Sequence, residues 1–259
     1  MKKYVLITGD WHCGHKGGLT PPRYWKGFLN SEDPHLRKQA MIQQVIWEFW
    51  AEWATKRQWD VVFHLGDMID GKGQKSGGNE QIVTDRLLQI DMAVEAAKLT
   101  RAKKFRIVRG TKFHVGDSEN FEDSIAERIG AEIKNHGFWS VEGVGFDLKH
   151  KVGGSTVPHG GATPLLKAKL WDLLWAERKI YPQASILGRG HVHSYLTVQD
   201  TRYTSFSNFC LQWGSEYGEQ QCEKIIDLGV VEVVCENGHF AMYPHELNME
   251  FAKPEMEEL

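Results

Sequence analysis

Aspartate and histidine side chains recur at the ends of predicted strands along this chain. Two segments each follow an apolar run, the first with Asp10 and His12 and the second with Asp67 and Asp70. Later segments supply further imidazoles, at His114, His150, His191 and His193. Carboxylate oxygens and imidazole nitrogens bind divalent metal ions, and one carboxylate can bridge two ions through its two oxygens. The sequence therefore predicts a metal centre in which Asp67 is the bridging ligand.

The spacing within two of these motifs fits ligands that share one ion. If the chain is extended there, Asp10 and His12 point to the same side, because side chains alternate along a strand. In Gly190-His191-Val192-His193 the glycine permits a sharp turn that presents both imidazoles together. Each motif alone is also compatible with an ordinary polar loop. Their repeated position after strands favours one shared site at a sheet edge.

The apolar pattern predicts alternating strands and helices, as in an α/β protein. Strands are expected at residues 4–8, 61–65, 104–108, 184–187, 195–198, 203–211, 229–235 and 239–243, with a hairpin over 138–152. Helices are expected over residues 34–56, 83–97, 119–131 and 165–180. We expect these elements to form a single domain that spans residues 1–259, in which the strands over about 195–245 complete the second sheet.

Two of the helices carry specific expectations. The helix over 165–180 is predicted to turn its leucines inward, namely Leu166, Leu170, Leu173 and Leu174. The helix over 119–131 is predicted to be N-capped by Asp117 or Ser118, because short polar side chains satisfy the first free N–H groups.

Composition excludes several classes of protein. A net charge of -3 argues against a strongly electrostatic nucleic-acid or membrane binder. No stretch approaches the ~20 apolar residues of a membrane span, and the run over 4–7 is too short for a signal peptide. The four cysteines, Cys13, Cys210, Cys222 and Cys235, form no C-x-x-C pair, which indicates unpaired thiols in a reducing compartment. We therefore expect a cytoplasmic protein with no membrane partner.

Taken in order, the motifs resemble those of the calcineurin-like metallophosphoesterases. They are Asp-x-His at residue 10, Gly-Asp-x-x-Asp at residue 66, Gly-x-x-x-His at residue 110, the lone His150 and Gly-His-x-His at residue 190, within residues 4–199. The resemblance implies two packed mixed β-sheets flanked by helices, in four αββα layers. It also implies a dinuclear site, with Asp10, His12 and His193 on the first ion, Asp67 bridging, and His150 and His191 on the second. Asp70 would orient the site from behind the ligands.

The same resemblance implies two divalent ions, manganese by preference, with iron, zinc or nickel as alternatives. The expected activity is hydrolysis of a phosphodiester by metal-activated water. Nucleic acid, a nucleotide or a cyclic nucleotide is the preferred substrate, because nuclease relatives share the loops at residues 66 and 190. The mild acidity of the chain weighs slightly against long nucleic acid. A phosphomonoesterase acting on phosphoprotein or a small metabolite is the alternative.

One loop departs from the family pattern. The family usually has Gly-Asn-His, in which asparagine binds the second ion and histidine assists the leaving group. This chain has Gly110-Thr111-Lys112-Phe113-His114, which resembles a variant of phage and prophage members. His114 is expected in the site, either as a ligand of the second ion or as the general acid, while Thr111 contributes a hydroxyl or shapes the turn. The missing asparagine also leaves open an inactive metal-binding scaffold.

Four further histidines are expected to lie outside the metal centre. His150 is preferred over His159 as a ligand, because His150 ends a predicted strand and His159 lies among glycines. His15 and His35 are expected at the surface, and His64 in the core or behind the ligands. A structural zinc site fits poorly, since the chain has no cysteine cluster.

Overall fold

The computed structural model of the chain describes residues 1–73, 77–116, 119–155, 157–215 and 225–250. Its strands are β1 (Lys3–Thr8), β2 (Val61–His64), β3 (Phe105–Val108), β4 (Glu132–Lys134), β5 (Gly137–Val141), β6 (Val144–Lys149), β7 (Ile186–Arg189), β8 (Leu196–Gln199), β9 (Thr204–Ser207), β10 (Leu228–Glu236) and β11 (His239–Leu247). Its α-helices are α1 (Pro34–Thr55), α2 (Arg86–Leu99), α3 (Lys112–Val115), α4 (Phe121–Ile129) and α5 (Thr163–Glu177).

The strands form two mixed sheets. The first has six strands in the order β11-β10-β1-β2-β3-β4, and the second has five in the order β5-β6-β7-β9-β8. In the first sheet β1 to β4 run parallel, while β10 and β11 run antiparallel to their neighbours. In the second sheet β6, β7 and β9 run parallel between antiparallel edge strands. Parallel neighbours place their carboxyl ends at one edge, which is where the predicted ligand motifs follow.

The two sheets pack face to face and helices cover their outer faces. Val5, Ile7 and Phe63 of the first sheet meet Phe146 and Phe206 of the second in an apolar core. A second core lies between the first sheet and helices α1, α2 and α4. Helix α5 contacts β8 and β9 of the second sheet. These αββα layers confirm the predicted fold class.

Several predicted elements have different limits in the structure. The predicted strand over 203–211 is shorter, as β9, and β4 is an additional strand. Of the strands expected to complete the second sheet, only β8 and β9 lie there; the prediction is wrong for β10 and β11, because β10 pairs with β1 of the first sheet. Helix α4 begins two residues later than predicted and is capped by Asn120, whose side chain accepts a hydrogen bond from the Glu122 N–H. The predicted caps Asp117 and Ser118 are therefore wrong, and both lie outside the described residues.

The turn between β10 and β11 agrees with the sequence. Glu236 pairs with His239 across a two-residue turn. Asn237 and Gly238 both have positive φ, of 52° and 80°. These angles are those of the type I′ turn, which Asn-Gly favours.

The structure also shows the state of three of the four cysteines and the character of the helices. Cys13, Cys210 and Cys235 are buried free thiols, while Cys222 lies outside the described residues. Within the described ranges, no helix combines the length and the apolar character needed to cross a bilayer.

Helix α5 packs largely in the opposite way to the prediction. Leu166, Leu170 and Leu173 are 47%, 56% and 43% exposed, whereas Leu174 is half-buried. The side chains that face inward are those of Leu165, Lys169 and Asp172. The polar pair turns inward because it satisfies the backbone C=O and N–H groups of Ala184, just before β7. Lys169 Nζ donates to Ala184 O at 3.0 Å, and Ala184 N donates to Asp172 Oδ1 at 3.1 Å.

The inward polar pair of α5 leads to a stability prediction. Lys169 Nζ also lies 2.9 Å from Asp172 Oδ2. We expect Asp172→Ala to lower the free energy of unfolding by about 3–5 kcal/mol, because a buried ammonium loses its carboxylate. Urea unfolding followed by circular dichroism measures this change. Leu170→Ala on the exposed side is the control and should alter it by less than about 0.5 kcal/mol. Equal losses in the two variants would contradict the inverted packing.

Candidate metal centre

Three overlapping groups of ligand atoms lie where the strands of the two sheets end. The groups are Asp10 with His12 and His193, His12 with Asp67 and His114, and Asp67 with His150 and His191. Within each group the ligand atoms lie within 4.8 Å of one another. The structure thus brings together seven of the eight predicted site residues as potential ligands, and the eighth, Asp70, contacts two of them.

The first group is built around the Asp10 carboxylate. His193 Nε2 lies 3.4 Å from Asp10 Oδ1, and it lies 3.2 Å from His12 Nε2. The His191 backbone N–H donates to Asp10 Oδ2 at 3.0 Å. This bond connects the loop after β1 to the loop after β7, although the two are far apart in sequence.

The third group is built around the Asp67 carboxylate. His150 Nε2 lies 3.1 Å from Asp67 Oδ2, and the His150 ring lies 5.2 Å from the His191 ring. The Thr111 N–H donates to Asp67 Oδ1 at 2.7 Å, and the Thr111 hydroxyl lies 3.2 Å from Oδ2. Thr111 therefore orients Asp67 through both its backbone and its hydroxyl.

Asp70 orients two histidines from behind. Its Oδ1 accepts a hydrogen bond from His12 Nδ1 at 2.9 Å and lies 3.3 Å from His114 Nδ1. The His114 Nδ1–H also donates to the Asp70 carbonyl oxygen at 2.9 Å. These bonds occupy Nδ1 of both rings, so Nε2 is the atom that each presents to the site.

The backbone around the ligands is unusual. Asp10, His12, Asp67, His191 and His193 all have φ between 45° and 76°. Residues other than glycine seldom adopt this left-handed region, and such strain concentrates at functional sites.

The extended conformation predicted for the first motif is therefore wrong. Backbone bonds to the loop after β2 hold the turn instead, with Asp10 N donating to Gly66 O at 2.9 Å and His12 N to Asp67 O at 3.0 Å. Trp11 between them is fully buried. Both side chains still reach one site, but through a turn rather than through strand alternation.

The carboxylates of the cluster are ionised at neutral pH. Burial alone would raise the pKa of Asp67, but the charge and hydrogen bond of His150, together with the charge of His114, outweigh burial and hold that pKa below its usual value. Hydrogen bonds from His114 and His12 likewise lower the pKa of Asp70 against the effect of burial. Ionised carboxylates are the form that binds cations.

The histidines divide into two protonation classes. Burial lowers the pKa of His12 to about 4, so this ring is neutral at pH 7. Burial also lowers the pKa of His191. For His150 the charge of Asp67 exceeds the effect of burial and raises the pKa to about 10. The pKa of His193 is raised as well, because the nearby Cys210 and Asp10 outweigh burial.

The donor set fits a divalent cation. His150 Nδ1 lies 2.5 Å from the Leu65 carbonyl oxygen, so its Nε2 faces Asp67. That buried nitrogen has no hydrogen-bond partner among the described residues. A cation that replaced the imidazole proton would satisfy both atoms, and oxygen with nitrogen donors suits manganese, iron or zinc.

Sequence reasoning did not identify Glu122, which supports the site from α4. Its two carboxylate oxygens accept hydrogen bonds from Met68 N at 3.0 Å and from Gly110 N at 2.8 Å. Burial and the charge of Asp67 raise its pKa to about 7. An acid in the first turn of a helix is common for dipole reasons alone, so its type and position gave no signal. Gln81, whose side chain donates to Asp70, was also not predicted.

The other histidines lie as predicted with one exception. His159 is exposed in a short 3-10 helix and belongs to none of the three ligand groups of the described chain. His35 is exposed, and His64 is fully buried. His15 is buried rather than at the surface, because its ring accepts a hydrogen bond from Gly17 N and lies 3.5 Å from Glu80.

Comparison with solved structures returns matches over nearly the whole chain at low sequence identity. No family model and no curated protein matches the sequence. Vps29 from Cryptosporidium parvum has a TM-score of 0.48 at 11% identity, covering 96% of this chain and 99% of that one. An archaeal phosphodiesterase scores 0.45 at 10% identity, covering 95% and 100%. A predicted phosphoesterase from Streptococcus pneumoniae scores 0.41 at 10% identity, covering 95% and 99%.

The close approach of two ligand loops leads to a test with matched glycines. A Cβ atom at Gly110 would lie 2.0 Å from Asp67 Oδ1 and 2.3 Å from Asp67 N. We expect Gly110→Ala to lower the free energy of unfolding by about 1–3 kcal/mol, because the loops must separate. Gly27→Ala, whose Cβ would have nothing within 4 Å, should change it by less than about 0.5 kcal/mol. Denaturant titration measures the free energy of unfolding of both variants. A Gly110→Ala variant as stable as the wild type would contradict this close packing of the loops.

Proposed function

We propose that this protein is a metal-dependent phosphodiesterase with a dinuclear centre. Asp10, His12 and His193 would hold one ion, while His150 and His191 would hold the other. Asp67 would bridge the two ions, and the observation that carries this proposal is that Asp67 shares one ligand group with His12 and another with His150 and His191. Manganese is the proposed native metal, since the donors are carboxylates and imidazoles without sulfur.

Bound ions would supply Lewis-acid chemistry, lowering the pKa of water and neutralising charge on the phosphoryl oxygens. The protein residues supply orientation. Asp70 fixes the tautomer of His12, and Thr111 fixes the rotamer of Asp67. The loss of such a supporting contact typically costs about tenfold to a hundredfold in metal affinity or activity.

His114 is the residue that we propose as the proton donor to the leaving group. Burial alone would lower its pKa, but hydrogen bonding to Asp70 and the charges of Asp67 and Asp70 raise it above the usual value. Its side chain is 21% exposed, whereas that of His12 is 2% exposed. A protonated and accessible imidazole whose Nδ1 is already bonded can give the Nε2 proton to an alkoxide.

A phosphomonoesterase is the second candidate enzyme. A catalytically inactive metal-binding scaffold is the non-enzymatic alternative. The scaffold is motivated by Thr111, which stands where the family pattern has asparagine. Turnover with added manganese separates the three. Hydrolysis of bis(p-nitrophenyl) phosphate over p-nitrophenyl phosphate supports the diesterase, the reverse preference supports the monoesterase, and manganese binding without turnover supports the scaffold.

Removing a proposed ligand should abolish activity without unfolding the protein. We expect Asp67→Asn and His191→Ala each to lower manganese-dependent hydrolysis of bis(p-nitrophenyl) phosphate by at least about a hundredfold. His159→Ala is the control, since His159 is exposed and outside the ligand groups. Circular dichroism should be unchanged in all three. Wild-type turnover in either ligand variant would defeat the site assignment.

The role of His114 can be read from the leaving group. We expect His114→Gln to lower kcat by about a hundredfold or more on a dinucleotide, whose alkoxide leaving group needs a proton. The loss should be much smaller on bis(p-nitrophenyl) phosphate, because p-nitrophenolate leaves without protonation. In the wild type, kcat on the dinucleotide should fall as pH rises above the pKa of His114, and this alkaline limb should vanish in the variant. Equal losses on both substrates, with weakened manganese binding, would instead make His114 a ligand.

A further inference from the structure

A cleft of about 350 Å³ opens beside the proposed metal centre, on the side of the β3 and β6 loops. Two of its lining residues belong to the centre or contact it directly, His150 and Thr111. The rest of the lining is strongly basic, with Arg109, Lys112, Lys149 and Lys151. Neither the ligand set nor the proton donor uses these four side chains.

The three lysines are free to bind a ligand. Lys112, Lys149 and Lys151 are exposed, and none of their ammonium groups has an ion pair or hydrogen bond within the part of the chain that the structure describes. By contrast, Lys3 and Lys103 at a second basic cleft both pair with Asp60.

Within the described part of the chain, the basic residues that line the cleft outnumber the acidic ones. Arg109 pairs with Asp123 and so contributes little net charge. Glu119 is the one acidic residue that lines the described cleft. Among the described residues, three unpaired lysines and one carboxylate therefore line the cleft, in a chain whose net charge is -3. The cleft is a local reversal of the charge of the whole molecule, and such a reversal concentrates anions.

The chain path explains why these lysines lie beside the centre. Lys149 and Lys151 flank His150 in sequence where β6 ends, with His150 buried and both lysines exposed. Lys112 directly follows Thr111, which hydrogen-bonds to Asp67. Each ammonium group is thus carried by a residue adjacent to one that forms or positions the metal site.

We propose that this cleft binds a second phosphate of the substrate, next to the one that is hydrolysed. This inference rests on the proposed phosphodiesterase function and narrows its substrate to a nucleotide chain or nucleotide that carries a further phosphate. Lysine suits this task, because a flexible ammonium binds phosphate as a point charge without fixed geometry. A monoester or a diester with a single phosphate leaves the cleft without its ligand.

The test compares two substrates that differ by one phosphate. They are a thymidine dinucleotide with a 5′-phosphate and the same dinucleotide without it, and the quantity measured is the ratio of their kcat/KM values with manganese. We expect the wild type to favour the phosphorylated dinucleotide by about tenfold, the effect of one well-placed charge-assisted bond. In Lys112→Gln/Lys149→Gln/Lys151→Gln this ratio should fall to about one.

A matched variant controls for the loss of three surface charges. Lys16→Gln/Lys26→Gln/Lys38→Gln removes three exposed lysines elsewhere on the molecule and should leave the ratio at its wild-type value. A ratio near one in the wild type, or an equal fall in both triple variants, would overturn the proposal.

A binding measurement separates this proposal from the proposed function. Thymidine 3′,5′-bisphosphate is titrated calorimetrically into protein in EDTA, at low and high KCl. We expect salt-sensitive binding that weakens at least about fivefold in the cleft variant and is unchanged in the control variant. If the protein binds the bisphosphate but hydrolyses no phosphodiester when manganese is added, the cleft site is upheld and the phosphodiesterase function is rejected. If it hydrolyses phosphodiesters but its binding of the bisphosphate does not depend on the lysines, the function is upheld and the cleft site is rejected.

Substrate length identifies the source of the second phosphate. A single strand of ten thymidines that binds more tightly than the phosphorylated dinucleotide would make the substrate a nucleic-acid strand. Equal affinity would make it a small nucleotide. Both results require the lysines and uphold the second-phosphate site.

Discussion

Three carboxylates buried in one small volume are the constraint on which the rest of this structure depends. Asp10, Asp67 and Asp70 are 0%, 1% and 4% exposed. Taking each charge out of water costs several kcal/mol unless it is compensated. The surrounding imidazoles and backbone N–H groups provide part of that compensation, and the proposed cations would provide the remainder. The buried carboxylates whose desolvation costs free energy are thus the same groups that would bind a metal ion.

The architecture meets this requirement by ending many parallel strands at one place. Strands β1, β2 and β3 deliver Asp10, Asp67 and the Gly110 loop, while β6 and β7 deliver His150 and His191. The ligand loops then turn in left-handed conformations that strands and helices avoid. Glu122 and Thr111 hold two of these loops in register by bonding to backbone N–H groups and to Asp67. Hydrogen bonds from these two supporting residues thus help to maintain the strained backbone of the ligand loops.

Charge is distributed unevenly around the centre. The centre itself combines negative carboxylates with imidazoles. In the adjacent cleft, lysines outnumber acidic residues among the described lining. A substrate with two phosphates that spans the centre and the cleft would place one phosphate beside the proposed metal ions and the other beside the lysines. The overall charge of -3 conceals this arrangement, because a sum over the chain carries no information about position.

The amino-acid sequence predicts which side chains could bind a metal ion and the order of most helices and strands. Residue types such as Asp67 and His191 fix which atoms can bind metal, and the apolar periods fix most strands and helices, because both are local properties. The tertiary structure alone decided three other features: the turn that replaces an extended Asp10-Trp11-His12, the support from Glu122, and the inward Lys169 and Asp172 of α5. Each depends on a partner distant in sequence, such as Gly66, Gly110 or Ala184. A local pattern cannot identify such partners, because hydrogen bonds across loops depend on the spatial proximity that folding creates.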